Sequence, residues 1–168
     1  RPPMSETKAE HALRIAMRAA ASQGLTGVHD AGISLAELRR YQRLADRGQL
    51  PLRITAMADG DSDALESLCR DGLYRHRSGR LQMRTVKLYA DGALGSRGAA
   101  MLEDYTDDHG NRGLMVMSPA QLATAAAKAK RCGVQAATHA IGDRGNRETL
   151  DVYAKALGVD ATGDHRWR

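Results

Sequence analysis

The sequence predicts an α/β fold built on a parallel sheet, and three observations carry that prediction. Apolar runs of strand length alternate with segments of helical periodicity along the chain. Most helical segments open on a capping residue and close on glycine. Two apolar runs stop on residues that do chemistry: Val86-Lys87-Leu88-Tyr89-Ala90-Asp91 on a lysine and an aspartate, Thr138-His139-Ala140-Ile141-Gly142-Asp143 on a histidine and an aspartate. Strands separated by helices form βαβ units, and right-handed crossovers bring the strand C-termini to one side. That side is expected to collect His29, Asp30, Lys87, Asp91, His139 and Asp143.

The elements follow in order. Residues 7–23 read as a helix with Leu13, Ala16, Met17 and Ala20 on one face, Thr7 and Glu10 as a capping box, and Gly24 as the stop. A strand is expected over 25–30, then a helix capped by Ser34 and ended near Arg47 by Gly48. Residues 52–57 form the second strand, and Asp61 or Ser62 opens a helix to about Arg70. Residues 72–80 are polar and basic and read as loop. The third strand occupies 81–89. Ser118-Pro119-Ala120-Gln121 is a strong helix start, with Ser at the N-cap, Pro at N1 and Gln at N3, and the helix runs to Cys132. Residues 134–140 form the fourth strand. Asp143 is expected to cap a helix to about Leu157, with Leu150, Tyr153, Ala154 and Leu157 facing inward. Residues 165–168 look like the opening of a further strand.

The 168 residues suffice for one domain with a real core, expected over 1–168, but fall short of the roughly 250 of a whole (β/α)8 barrel. Phe is absent, so Leu, Ile, Val, Met and Ala must build the core. The net charge of +5 is scattered over helices with no run of like charges, which argues against nucleic acid as a partner. No apolar run approaches the roughly 20 residues of a membrane span, and Arg1-Pro2-Pro3-Met4 shows no leader-like apolar region. Cys69 and Cys132 lack CxxC spacing, so a reduced, cytoplasmic context is the simplest reading.

His139 ends an apolar strand, where a neutral imidazole is either a metal ligand or a group that bonds a loop carbonyl; Asp143 nearby could support it. Lys87 on a buried strand has two readings. Desolvation drives its amine neutral, fit to act as a base, to form a Schiff base or to take up carbon dioxide as a carbamate; or it stays charged and pairs with Asp91. Residues 91–117 are rich in Gly, Asp and Asn, and so long an irregular segment reads as a lid or substrate-binding loop. It lacks the GxxxxGK[ST] pattern of a phosphate loop. Arg97 in it would hold a substrate carboxylate or anchor the loop through Asp104 or Asp107. His29-Asp30 reads as a structural pair before Gly32, and His11, His76 and His109 as solvated. No GxSxG, HExxH or GxGxxG pattern occurs, which leaves a serine mechanism little support.

Val86-Lys87 with Asp91-Gly92-Ala93-Leu94-Gly95-Ser96-Arg97, then Tyr105, Asp107 and Gly113, followed by Thr138-His139-Ala140-Ile141-Gly142-Asp143-Arg144, resembles the amidohydrolase superfamily, in particular its amidohydrolase-3 (YtcJ-like) metal-dependent hydrolases. Thr26-Gly27-Val28-His29-Asp30-Ala31-Gly32 is similar to that family's early strand. The resemblance implies a (β/α)8 barrel with a metal centre at the strand C-termini. On that basis Lys87 matches the fourth-strand lysine, able to bridge metals as a carbamate, and His139 the fifth-strand histidine ligand. Asp91 and Arg97 fall to the substrate loop and Asp143 behind the ligands. A divalent metal, zinc first, would activate a water to hydrolyse a carbon–nitrogen bond of a small amide-like substrate.

The family's first-strand His-x-His pair would lie upstream of this chain, its sixth-strand histidine just after Arg168, and its eighth-strand aspartate further on. The resemblance therefore implies a partial TIM barrel, about strands two to five plus the start of strand six. Such a piece is expected to bind metal weakly, to have little activity alone, and to self-associate through open sheet edges. Gly98 and Gly145 depart from the family's common Thr and Ala. The competing reading is a non-catalytic α/β module whose glycine-rich loop and basic surface hold an anionic ligand.

Overall fold

The computed structural model describes residues 4–158 and 162–168; the first three residues, read above for a leader, lie outside it. The chain divides into two compact units, Arg1–Arg84 and Thr85–Arg168. Both are α/β.

In the first unit the elements are α1 (Glu6–Ser22), β1 (Gly27–Ile33), α2 (Leu35–Asp46), β2 (Arg53–Asp59), α3 (Asp63–Asp71), the two-residue β3 (Tyr74–Arg75) and the opening residues of β4 (Leu81–Tyr89). β1 and β2 pair in parallel, from Gly27 with Arg53 to Ala31 with Met57, and the register then shifts before Ile33. Gly32, at φ 88°, makes that shift feasible. β3 pairs antiparallel with β4, Tyr74 opposite Met83, a short hairpin in what the sequence presented as loop. Leu38, Leu44, Leu52, Ile54, Leu65 and Leu68 are all buried in this unit.

Local sequence sets most of these boundaries. α2 carries a full capping box: the Ser34 hydroxyl accepts from Glu37 N, and the Glu37 carboxylate accepts from Ser34 N. The cap of α1 is Ser5, two residues before the Thr7 of the expected box, and it accepts from Lys8 N. Glu10 is engaged elsewhere, 2.8 Å from Arg47, the residue that ends α2. Of the expected apolar face of α1, only Met17 is buried.

The second unit holds the remainder of β4, the 3-10 turn Leu94–Ser96, α4 (Pro119–Arg131), β5 (Gln135–His139) and α5 (Asp143–Leu157). β4 and β5 are parallel, with Thr85 paired to Gln135, Lys87 to Ala137 and Tyr89 to His139. α4 has the predicted Ser118–Gln121 box and Pro119 in its first turn. The N-cap of α5 is Gly142 rather than Asp143, which occupies the first helical position. Its buried residues are Gly145, Thr149, Val152, Tyr153 and Leu157; of the expected inner face, Leu150 is 63% exposed and Ala154 is also exposed. Arg168 extends the ladder beyond β5, donating from its N to Ala136 O and accepting from Thr138 N, as expected of a further parallel strand. Among the described residues no helix is long and apolar enough to cross a membrane.

Candidate metal centre

In a parallel pair, register partners project to the same face. Thr85, Lys87 and Tyr89 therefore share a face with Gln135, Ala137 and His139. Contacts on that face agree: the Thr85 hydroxyl donates to Gln135 Oε1 at 2.9 Å, and the Tyr89 and His139 rings lie 6.2 Å apart. Gln135 in turn donates to Arg166 O. The opposite face is the helix side, where the Thr138 hydroxyl meets the Tyr153 hydroxyl of α5 at 2.6 Å. Lys87 and His139 thus stand on one face, near the C-terminal ends of adjacent strands. Lys87 is half-buried rather than sealed in the core. Its Nζ donates to Leu88 O at 2.8 Å and lies 3.6 Å from the centre of the Tyr89 ring, a cation–π geometry.

The residue that organises this region is Asp91, whose side chain is fully buried. Its Oδ1 accepts from Ile141 N, and its Oδ2 from Gly142 N and Ala100 N, at 2.7–2.9 Å. One carboxylate thereby joins the long loop to the turn after β5, and its negative charge lies at the N-terminus of α5, where the helix dipole favours it. Ala100 O completes the join by accepting from Gly145 N. His139 Nε2 lies 3.8 Å from Asp91 Oδ1 and donates to Gly92 O at 3.2 Å. The carboxylate beside His139 is therefore Asp91. Asp143, expected in that place, accepts instead from Leu102 N and Arg144 N, both at 2.8 Å.

Residues 91–117 fold into a compact irregular loop. The Tyr105 hydroxyl donates to Ala99 O, Met101 N to Arg112 O and Val116 N to Ala90 O. Arg97, in the left-handed region at φ 54°, spends its guanidinium on Asp107 at 2.9 Å, and Arg112 pairs with Asp104 at 2.7 Å. Of the two roles expected for Arg97, the loop anchor is the one observed.

These pairs hold the Asp104 and Asp107 carboxyls below their ordinary range, chiefly through hydrogen bonds from Arg112 and Arg97. A carboxyl whose folded pKa is depressed stabilises the fold above its unfolded pKa and loses that contribution as pH falls through its folded one. Acidification below the ordinary carboxylate pKa of about 4 is therefore expected to loosen this loop first. The protection of Gly110 N, which donates to Asp104, measured against the intrinsic exchange rate at each pH, should fall before protection in β4.

His29 is exposed on β1, and Asp30 accepts from the Tyr41 hydroxyl at 2.7 Å. Burial, then that hydrogen bond, pushes the Tyr41 phenol well above its usual pKa. The structural reading of this pair therefore holds for Asp30. His76, expected to be solvated, is 8% exposed and bridges Ser78 Oγ at 2.9 Å and Asp46 at 3.3 Å. His11 and His109 are exposed, as expected. Neither cysteine is a free thiol, which overturns the reduced-thiol reading; a spacing test detects local CxxC motifs and is blind to bonds made by the folded chain.

For a metal, the chemistry of the donors fits in part. His139 offers an imidazole whose protonated nitrogen is already engaged, the usual condition of a ligating histidine, and Lys87 stands on the same face. A zinc site takes about four ligands. Among the described residues no group of three or more His, Cys, Asp or Glu is arranged to hold an ion.

Comparison with known proteins bears on this arrangement. The sequence profile described as "Amidohydrolase family" matches residues 2–168. A Bacillus subtilis (strain 168) protein described as an amidohydrolase, YtcJ, is 30% identical over 163 residues, covering 92% of this chain and 29% of the relative. The Arabidopsis thaliana protein LONG AFTER FAR-RED 3 is 40% identical over 88 residues, covering 52% of this chain and 15% of the relative. Two crystal structures of uncharacterized metal-dependent hydrolases superpose closely. That from Pyrococcus horikoshii OT3 gives a TM-score of 0.82 at 29% identity, covering 90% of this chain and 31% of its own. That from Pyrococcus furiosus gives 0.83 at 28%, covering 92% and 33%. The chain spans about a third or less of each relative's length.

Proposed function

The chain belongs to the amidohydrolase family, and from that premise we propose that it forms part of a metal-dependent hydrolase acting on carbon–nitrogen bonds of small amide-like substrates. The observation that carries the reading is the placement of His139 and Lys87 on one sheet face, with the Nε2 of His139 committed to Gly92 O. These two residues would hold the metal, zinc by preference, Lys87 as a carbamate; the remaining ligands come from outside the described residues. A divalent ion held there supplies a Lewis acid that acidifies water and polarises the scissile carbonyl.

The chain's own residues have narrower tasks. His139 donates a lone pair from an imidazole held in place by its bond to Gly92. Lys87 stands half-buried near the strand end, on the same face as His139. Asp91 and Asp143 tie the loop over 91–117 to the turn after His139 and to the start of α5. The alternative, an anion-binding module that uses the glycine-rich loop and basic surface, has less support: the family match favours the hydrolase reading, and Arg97 in that loop is already paired with Asp107.

The test is metal content and activity of the full-length protein. His139→Ala is expected to lose bound metal on dialysis and with it amide hydrolysis. Lys87→Ala is expected to lose activity that short carboxylic acids with bicarbonate partly restore. Unchanged metal content in both variants would refute the proposal.

A further inference from the structure

We infer that Asp91 is a positioning residue that sets the tautomer of His139. A carbonyl oxygen carries no proton, so the bond between His139 and Gly92 O exists only when Nε2 bears the hydrogen. A neutral ring then keeps its lone pair on Nδ1. The other tautomer would set the Nε2 lone pair against the lone pairs of Gly92 O, with the Asp91 carboxylate only 3.8 Å away. Both the carbonyl and the charge favour the proton on Nε2.

What places that carbonyl is Asp91. Gly92 follows it directly in the chain, and its N donates to Gly98 O within the loop. The carboxylate grips the loop at Ala100 and the turn two and three residues beyond His139, at Ile141 and Gly142. The histidine and its acceptor are thus tied to one buried group from both sides. The carboxylate packs directly against α5: a Cβ on Gly145 would lie 2.5 Å from Asp91 Oδ2. This role was not legible in the sequence, where Asp91 stands out only as a candidate partner for Lys87 or substrate. It deepens the proposed function by explaining how His139 is readied as a ligand, and rests on that reading only for its purpose.

The experiment is nitrogen-15 NMR of the histidine rings and amide exchange, on the metal-free chain at a pH where imidazole is neutral. The His139 signal is identified by its loss in His139→Gln. In the unsubstituted chain, Nε2 is expected protonated and Nδ1 not. Asp91→Asn keeps the shape but offers one acceptor oxygen and an opposing NH2 to three donors. The ring should then shift toward mixed tautomers, and the amides of Ala100, Ile141 and Gly142 should exchange at least about tenfold faster. Asp91→Glu, which keeps the charge but displaces the carboxylate by one methylene, should shift the ring the same way and serves if Asp91→Asn does not fold. Leu122→Ala, a core lesion in the same unit, should leave the tautomer intact. An Nδ1-protonated ring in the unsubstituted chain, an unchanged ring in both Asp91→Asn and Asp91→Glu, or an equal shift in Leu122→Ala would overturn the inference. Failure of the full-length protein to bind metal would sink the proposed function while leaving this result standing.

Discussion

Gly142→Ala is expected to destabilise the second unit by about 3–5 kcal/mol, the range reached when crowding also breaks buried hydrogen bonds. Backbone preference is not the reason, since φ at Gly142 is −68° and suits any residue. The reason is contact: an added Cβ would lie 1.9 Å from Ala100 O and 2.4 Å from its carbonyl carbon. Those atoms are backbone and cannot rotate away. Relief requires the loop to withdraw, which breaks the bonds of Asp91 to Ala100 N and Gly142 N and that of Gly145 N to Ala100 O. Gly95→Ala is the matched control, because a Cβ there meets nothing within 4 Å; it should be neutral or stabilise by up to about 1 kcal/mol. Urea denaturation of both variants checks the pair. A Gly142→Ala chain within about 1 kcal/mol of the original would show that the loop yields without cost.

Leu88→Ala is expected to cost about 2–5 kcal/mol through the cavity it leaves. Leu88 is 1% exposed and pairs in register with Thr138, whose hydroxyl meets Tyr153. Its side chain therefore lies on the helix face of the sheet, away from Lys87. The same comparison separates the two faces of β4: the midpoint of denaturation should fall with m unchanged, whereas Lys87→Ala should alter stability by far less. A loss below about 1 kcal/mol for Leu88→Ala would mean that the helix face repacks freely.

Several elements were legible because their signals are local. The Ser118–Gln121 and Ser34–Glu37 boxes close within one turn, so four residues suffice to locate each helix start. The apolar run over 81–89 defines β4 to the residue. α1 shows where local reasoning fails: Ser5, not Thr7, is the cap, and Glu10 is drawn to Arg47, 37 residues away. Leu150 and His76 were misjudged for the same kind of reason. Helical spacing marks a face without saying which neighbours cover it, and a polar loop can still bury a histidine between Ser78 and Asp46.

The amino-acid sequence alone determined the alternation of strands and helices, the caps, and the presence of Lys87 and His139 at strand ends, since each depends on residues within a few positions of one another. Family membership follows from the same stretches. Only the tertiary structure decided which carboxylate stands beside His139, which of its nitrogens carries the proton, and why residue 142 is glycine. Asp91 meets its donors 9, 50 and 51 residues along the chain. Contacts at that separation are selected by packing, once β4, β5 and the loop have brought a buried charge to the backbone amides that can satisfy it.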